Sequence, residues 1–173
     1  MRFLIPIIAA SLLGACAKPA WVRLPDTSDW FSKAENLVQV EEVARANVCH
    51  SVTDEIELAV LGNVAAMQAL ASGRGFEWVR NSAKSLPETA YAVVEFGQRP
   101  NSGYGLAVSR EAALQGDTLR LRATFFEPQQ GRWAGSEPSS PCVAVSIPGG
   151  AYERIELVDQ TGRVRAMTRL GGA

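Results

Sequence analysis

The chain has 173 residues, of which 47% are hydrophobic, and a formal net charge of −1 at pH 7. This length accommodates one domain with a real hydrophobic core, but not comfortably two. The balanced charge and the lack of a basic stripe exclude the electrostatic pattern of a nucleic-acid-binding protein, so we expect no nucleic-acid partner.

Residues 1–15 are predicted to be a secretory signal peptide. Arg2 precedes an uncharged, largely apolar run over 3–15, which is too short to span a bilayer as a helix. Small residues then precede Cys16, and this spacing is typical of a lipobox, in which the cysteine becomes acylated. A chance cysteine near an ordinary cleavage site is the alternative. Ala17 is not the aspartate that commonly keeps lipoproteins in the inner membrane, so we expect a cell outer membrane anchor facing the periplasm.

Residues 16–34 are predicted to be a lipidated N-terminus and a tether, because they are rich in turn-forming residues and lack apolar periodicity. Acyl chains such as palmitate on Cys16 would hold the protein on the membrane without help from basic residues. Residues 35–173 are then predicted to form a single β-rich domain.

The first half of that domain is predicted to mix strands and helix. Residues 36–46 alternate only in part and fit either a strand or a short helix, whereas 56–60 alternate as a half-buried strand does. Asn63 is a suitable N-cap for a helix over 64–71. A second short helical turn is expected over 76–83, before Pro87 interrupts the chain.

The second half is predicted to consist of short strands separated by turns. This spacing favours an α+β, β-rich fold, either an antiparallel sandwich or a partly open barrel, with one or two short helices. The clearest alternation has Leu119 and Leu121 on one face and Arg120 and Arg122 on the other. The predicted strands are 91–96, 104–108, 118–126, 142–147, 152–158 and 163–168.

The segment between the first two of these strands is predicted to be a displayed loop of a hairpin. It reads Gly97-Gln98-Arg99-Pro100-Asn101-Ser102-Gly103. Glycine tolerates positive φ, proline fixes its own φ, and asparagine and serine hydrogen-bond the local backbone. A tip of this composition is rigid, and therefore suited to recognition by a partner.

The same segment carries a family resemblance. Gly97 to Tyr104 resembles the G-x-x-P-T-G-G-Y signature of the PrcB-type C-terminal domain, found in lipoprotein subunits of bacterial protease complexes. Phe126-Glu127-Pro128 and Ser140-Pro141-Cys142-Val143-Ala144-Val145 are similar to later strands of that family, so the resemblance spans roughly 56–166. Asn101-Ser102 stand where the family usually has Thr-Gly. The resemblance implies a protein partner, and specifically a protease.

The residues give little support for catalysis or for a bound cofactor. His50 is the only histidine, so neither a polar triad nor a zinc site with metal-spaced ligands is expected. Glu55 and Glu57 fall on one face of a predicted strand, as solvated carboxylates do, and Asp54 precedes them. We therefore expect no enzyme activity, no metal and no cofactor.

Cys49 and Cys142 are the two cysteines that remain if Cys16 is acylated. In an oxidising envelope compartment such a pair is more often a disulfide than two free thiols. The bridge would tie the N-terminal part of the domain to the later strands.

These observations predict an envelope lipoprotein that binds a protease or another secreted protein and stabilises, assembles or restrains it. The loops over 97–104 and 127–141 are the expected binding elements, provided that they emerge at the same end of the sheet. A structural or cell-wall-associated lipoprotein with no protease partner is the alternative. The predicted partner-binding residues are Arg99, Pro100, Asn101, Ser102, Gly103, Tyr104, Arg132 and Trp133.

Overall fold

The computed structural model describes residues 36–81, 86–87, 89–129 and 135–170. The predicted signal peptide, Cys16 and the tether lie outside the described residues. In chain order the elements are β1 (Asn36–Gln39), β2 (Glu41–Ala46), β3 (Glu57–Leu61), α1 (Val64–Arg74), β4 (Val79–Arg80), β5 (Ala90–Glu95), β6 (Gly105–Val108), β7 (Glu111–Gln115), β8 (Thr118–Phe126), β9 (Cys142–Ile147), β10 (Arg154–Val158) and β11 (Val164–Arg169).

The described strands form two sheets, which face each other as a sandwich. Sheet 1 has the order β1-β7-β8-β10-β11, and β6 pairs with the second half of β8. Sheet 2 has the order β3-β5-β9-β2-β4. The pairs are antiparallel except β8 with β10, which is parallel and departs from the expected antiparallel architecture. The sheets do not close into a barrel.

The alternation of the strands decides what fills the space between the sheets. Leu119 and Leu121 of β8 are fully buried, whereas Arg120 and Arg122 point to the outer face of sheet 1 and are partly exposed. Val94 of β5 lies in the same core. Complete burial of one such aliphatic side chain contributes roughly 1.5–3 kcal/mol.

Sheet 2 is buried on its outer face as well, because α1 covers it. Tyr91 and Val93 of β5 pack there with Met67 of the helix. The helix begins at the predicted N-cap, where the Asn63 side chain accepts a 2.9 Å hydrogen bond from the Ala66 amide. The predicted helical turn over 76–83 is wrong in its described part, since 79–80 form β4 and pair with β2.

The predicted hairpin over 91–108 is also wrong, although both of its strands are present. β5 belongs to sheet 2 and β6 to sheet 1, so the loop between them crosses from one sheet to the other. A tight hairpin instead joins β7 to β8 around Gly116, which has a φ of +61°. Residues 36–46, left open between strand and helix, form two strands that separate at the buried Val40 and join different sheets.

Candidate functional site at the loop end

Three connecting segments emerge at one end of the sandwich, as far as they are described: 47–56, 97–104, and 127–129 together with 135–141. We call this end the loop end. Ala46, Cys142 and Glu95 lie side by side on β2, β9 and β5, and the segments continue from there. Residues 130–134 of the third segment, which include the predicted partner-binding Arg132 and Trp133, lie outside the described residues.

Hydrogen bonds join the second segment to the third. The Arg99 amide donates to the Ser139 carbonyl at 2.7 Å, and the Ser139 amide donates back to the Arg99 carbonyl at 3.0 Å. The Ser139 hydroxyl also donates to the Asn101 carbonyl at 2.7 Å. The two loops expected to act together therefore lie side by side where they are described.

The first segment, 47–56, contacts both of the other segments at the loop end, although the sequence did not predict it as part of the site. The amide and the side chain of Gln98 donate to the carbonyls of Thr53 and Ser51, both at 2.8 Å. The Cys49 amide donates to the Ser140 carbonyl at 3.0 Å. The run of polar residues around Asp54, between two predicted strands, was the available signal for a loop.

The predicted disulfide between Cys49 and Cys142 is present and lies directly under this end. The two Cα atoms are 6.1 Å apart, and both side chains are buried. Phe76 and Trp78 pack against the bridge from the helix side. The bridge fixes the first segment to the central strand β9, from which the third segment extends.

Gly97 allows the first and second segments to touch. Its φ is +81°, and a Cβ atom there would lie 2.5 Å from the Glu55 carbonyl oxygen. A larger residue would therefore meet both backbone strain and a collision with backbone atoms that cannot rotate away.

Arg99 is turned back toward the fold. Its guanidinium donates to the Phe96 carbonyl and lies 4.2 Å from the centre of the Phe96 ring. Tyr104 packs edge-on against the same ring, with 5.8 Å between ring centres. Both residues hold the base of the second segment, and both are partly exposed.

The tip of the second segment is what faces solvent. Pro100 and Ser102 are exposed, while Asn101 and Gly103 are partly buried. The Asn101 side chain accepts a 2.9 Å hydrogen bond from the Gly103 amide, which closes the turn locally. A side chain at Gly135 would collide with the Ser102 hydroxyl, so the third segment passes directly beside this tip.

Two adjoining clefts open at the loop end. The first has a volume of about 520 Å³ and lies between all three segments, with Val48, Pro100 and Pro138 on its walls. The second, of about 420 Å³, is lined by Asp54, Glu55, Glu127 and Arg165, among others. Asp54 and Arg99 line both clefts. The arrangement thus places a largely apolar depression beside one that carries three carboxylates.

Two carboxylates beneath the loop end hold the structure together. Glu95 is buried and paired with Arg74, and it also accepts a 2.7 Å hydrogen bond from the Ser51 hydroxyl.

Asp159, the second of these carboxylates, has a lowered pKa. Burial by itself would raise that pKa, but hydrogen bonds from Thr161, Arg163 and Arg165 to the carboxylate outweigh the effect of burial.

His50 lies on the wall of the first cleft, is exposed and has a φ of +50°. The described residues include no group of His, Cys, Asp and Glu side chains placed to hold a metal ion. They also contain no helix with the length and apolarity needed to cross a membrane.

Comparison with known proteins supports the resemblance found in the sequence. Residues 90–148 match the family described as PrcB C-terminal, which confirms that resemblance over a segment narrower than the one expected. The matched segment runs from β5 to the residue after β9, and includes the second and third segments of the loop end. No curated protein and no solved structure matches the chain significantly.

Proposed function

We propose that this chain is an accessory subunit that binds a protease or another secreted protein at its loop end, and thereby stabilises, assembles or restrains it. The observation that carries the proposal is the joining of three segments into one rigid surface by the Cys49–Cys142 bridge and the Arg99–Ser139 pairing. Loops held on a rigid scaffold lose little conformational entropy on binding. The match to the PrcB C-terminal family supports a role in a protease complex.

The proposal includes an outer-membrane lipid anchor on Cys16. The position at which the chain enters β1 supports it, because that position lies far from the loop end. β1 begins at Asn36, which pairs with Leu114, and Leu114 in turn pairs with Leu119 near the start of β8. The loop end lies beyond Phe126, at the other end of the same strand. The chain thus enters the domain roughly 20 Å from the loop end, measured along β8. A tether attached there leaves the three segments free to face the periplasm.

The test is capture of the partner from native membranes by chemical crosslinking of the lipidated full-length protein. The variant is Pro100→Ala with Ser102→Ala, which changes exposed side chains at the tip of the second segment. Glu153→Ala, an exposed change at the opposite end of the sandwich, is the matched control.

We expect wild type and control to capture the same envelope protein, identified by mass spectrometry, and the tip variant to capture much less. Equal capture by all three proteins would show that the tip of the second segment does not bind the partner. A structural lipoprotein would then be the better description, and we would expect replacement of Cys16, rather than of loop residues, to impair function.

A further inference from the structure

The composition of the loop end indicates the chemistry of what binds there. We infer that the loop end docks a positively charged segment of another polypeptide, with an apolar side chain of that segment seated in the first cleft. This inference rests on the proposed function and adds a class of partner to it.

The apolar part of the argument comes from side chains that the fold leaves in contact with water. Val52 is 77% exposed and Val48 is 42% exposed, although β-branched aliphatic residues usually lie inside a domain. Pro100 and Pro138 are also exposed, and with Val48 they line the first cleft. Covering this rigid surface would remove apolar area from water, and ordering it would cost little entropy.

The electrostatic part comes from four carboxylates at the loop end, of which Asp54, Glu55 and Glu127 line the clefts. Asp54, Glu55, Glu127 and Glu137 are all exposed. Within the described parts of the chain, each of them lacks an ion pair, whereas Glu95 and Asp159 beneath them are paired with arginines. These four charges are therefore not needed to hold the described fold together.

The two arginines that line the clefts differ in what balances their charge. Arg165 bonds the Asp159 carboxylate at 3.2 Å, whereas Arg99 donates to the neutral Phe96 carbonyl and keeps its positive charge. Among the described residues of the clefts, three carboxylates thus face one arginine that no carboxylate balances, and the net charge of this described lining is negative. A basic segment would be attracted here and an acidic one repelled, which gives both faster association and discrimination between partners.

The test uses full-length lipidated protein with a photo-crosslinking amino acid in place of Val52, irradiated in native membranes. The variant adds Asp54→Asn and Glu127→Gln, which remove two charges at the clefts. The matched control adds Asp117→Asn and Glu153→Gln, which remove the same charge from exposed positions at the opposite end. Mass spectrometry then identifies both the partner and the peptide attached to position 52, and each capture is repeated at low and high salt.

We expect the parent protein, which carries only the photo-crosslinking residue at position 52, and the control to attach to a segment rich in lysine or arginine. Capture should fall about tenfold in the Asp54→Asn, Glu127→Gln variant, and high salt should reduce capture by the parent protein and the control. Attachment to a neutral or acidic segment, or undiminished capture by the variant, would overturn this inference and leave the proposed function standing. Loss of capture in every protein, the parent protein included, would overturn both this inference and the proposed function.

Discussion

The guanidinium of Arg74, at the end of α1, bonds the carboxylate of Glu95, at the end of β5, across 2.6 Å. The Glu95 side chain is 3% exposed and the Arg74 side chain 24%. This pair ties the covering helix to sheet 2 directly beneath the loop end. Because its acidic partner is so deeply buried, loss of the arginine would leave a charge without compensation.

We therefore predict that Arg74→Ala lowers the free energy of unfolding by about 3 kcal/mol, as expected when one partner of a buried pair is removed. Arg120→Ala is the control, since its 2.8 Å pair with Glu156 involves a more exposed arginine and should contribute less than about 1 kcal/mol. Urea denaturation followed by circular dichroism gives both values. Equal losses in the two variants would contradict the structural role given to Glu95.

Replacement of Gly97 by alanine tests the contact between the first and second segments. Gly116→Ala is the control, because Gly116 also has a positive φ but has open space where a Cβ would lie. The control should lose about 1 kcal/mol of unfolding free energy from φ strain alone. Gly97→Ala should lose clearly more, since its Cβ meets the Glu55 carbonyl. Thermal unfolding would show the difference, and matching midpoints would refute the contact.

Reduction of the Cys49–Cys142 bridge should destabilise the domain. The bridged residues are 93 positions apart, and a loop of that size corresponds to a loss of up to about 4–5 kcal/mol in the chain-entropy model. The measurement is denaturant unfolding of the wild type with and without a reducing agent. The control is the Cys49→Ala, Cys142→Ala variant, whose stability should not respond to the reducing agent. A wild type equally indifferent to reduction would show that the bridge does not form.

Asp159 should make stability depend on pH in the acid range. Its pKa is lowered in the folded state, so its contribution is fully present above the unfolded pKa, near the ordinary 3.8, and is lost as pH falls through the folded pKa. Asp159→Asn should therefore be less stable than wild type at pH 7, and the gap should narrow only below about pH 4. Exposed Glu153→Gln should show little effect at either pH. A gap unchanged down to pH 2 would rule out this role for the ionised carboxylate.

Much of the fold was predictable because alternation along a strand is a local property. The predicted strands 118–126 and 142–147 coincide with β8 and β9. The N-cap at Asn63 was also readable, because a cap depends only on neighbours in the sequence. β7 was missed, although the Gly116-Asp117 pair before β8 is a typical signal for a two-residue hairpin turn.

The candidate site was predictable only in part. Pro100 and Ser102 are exposed at a loop tip, as the turn-forming composition indicated. Arg99, a predicted partner-binding residue, is partly exposed, and its guanidinium folds back onto Phe96, a contact that composition alone cannot specify. The exposure of Val48 and Val52 could not be predicted, since nothing in the sequence marks an aliphatic residue in a loop as exposed.

By itself the sequence determined where the helix and most of the later strands lie, which cysteines pair and which family segment 90–148 resembles, because periodicity, caps and motifs are read along the chain. Only the tertiary structure decided that β5 and β6 belong to different sheets and that residues 47–56 join the two predicted loops. The physical reason is that strand partners and loop contacts depend on burying both faces of sheet 2 at once. That requirement involves residues far apart in sequence, and no local pattern records it.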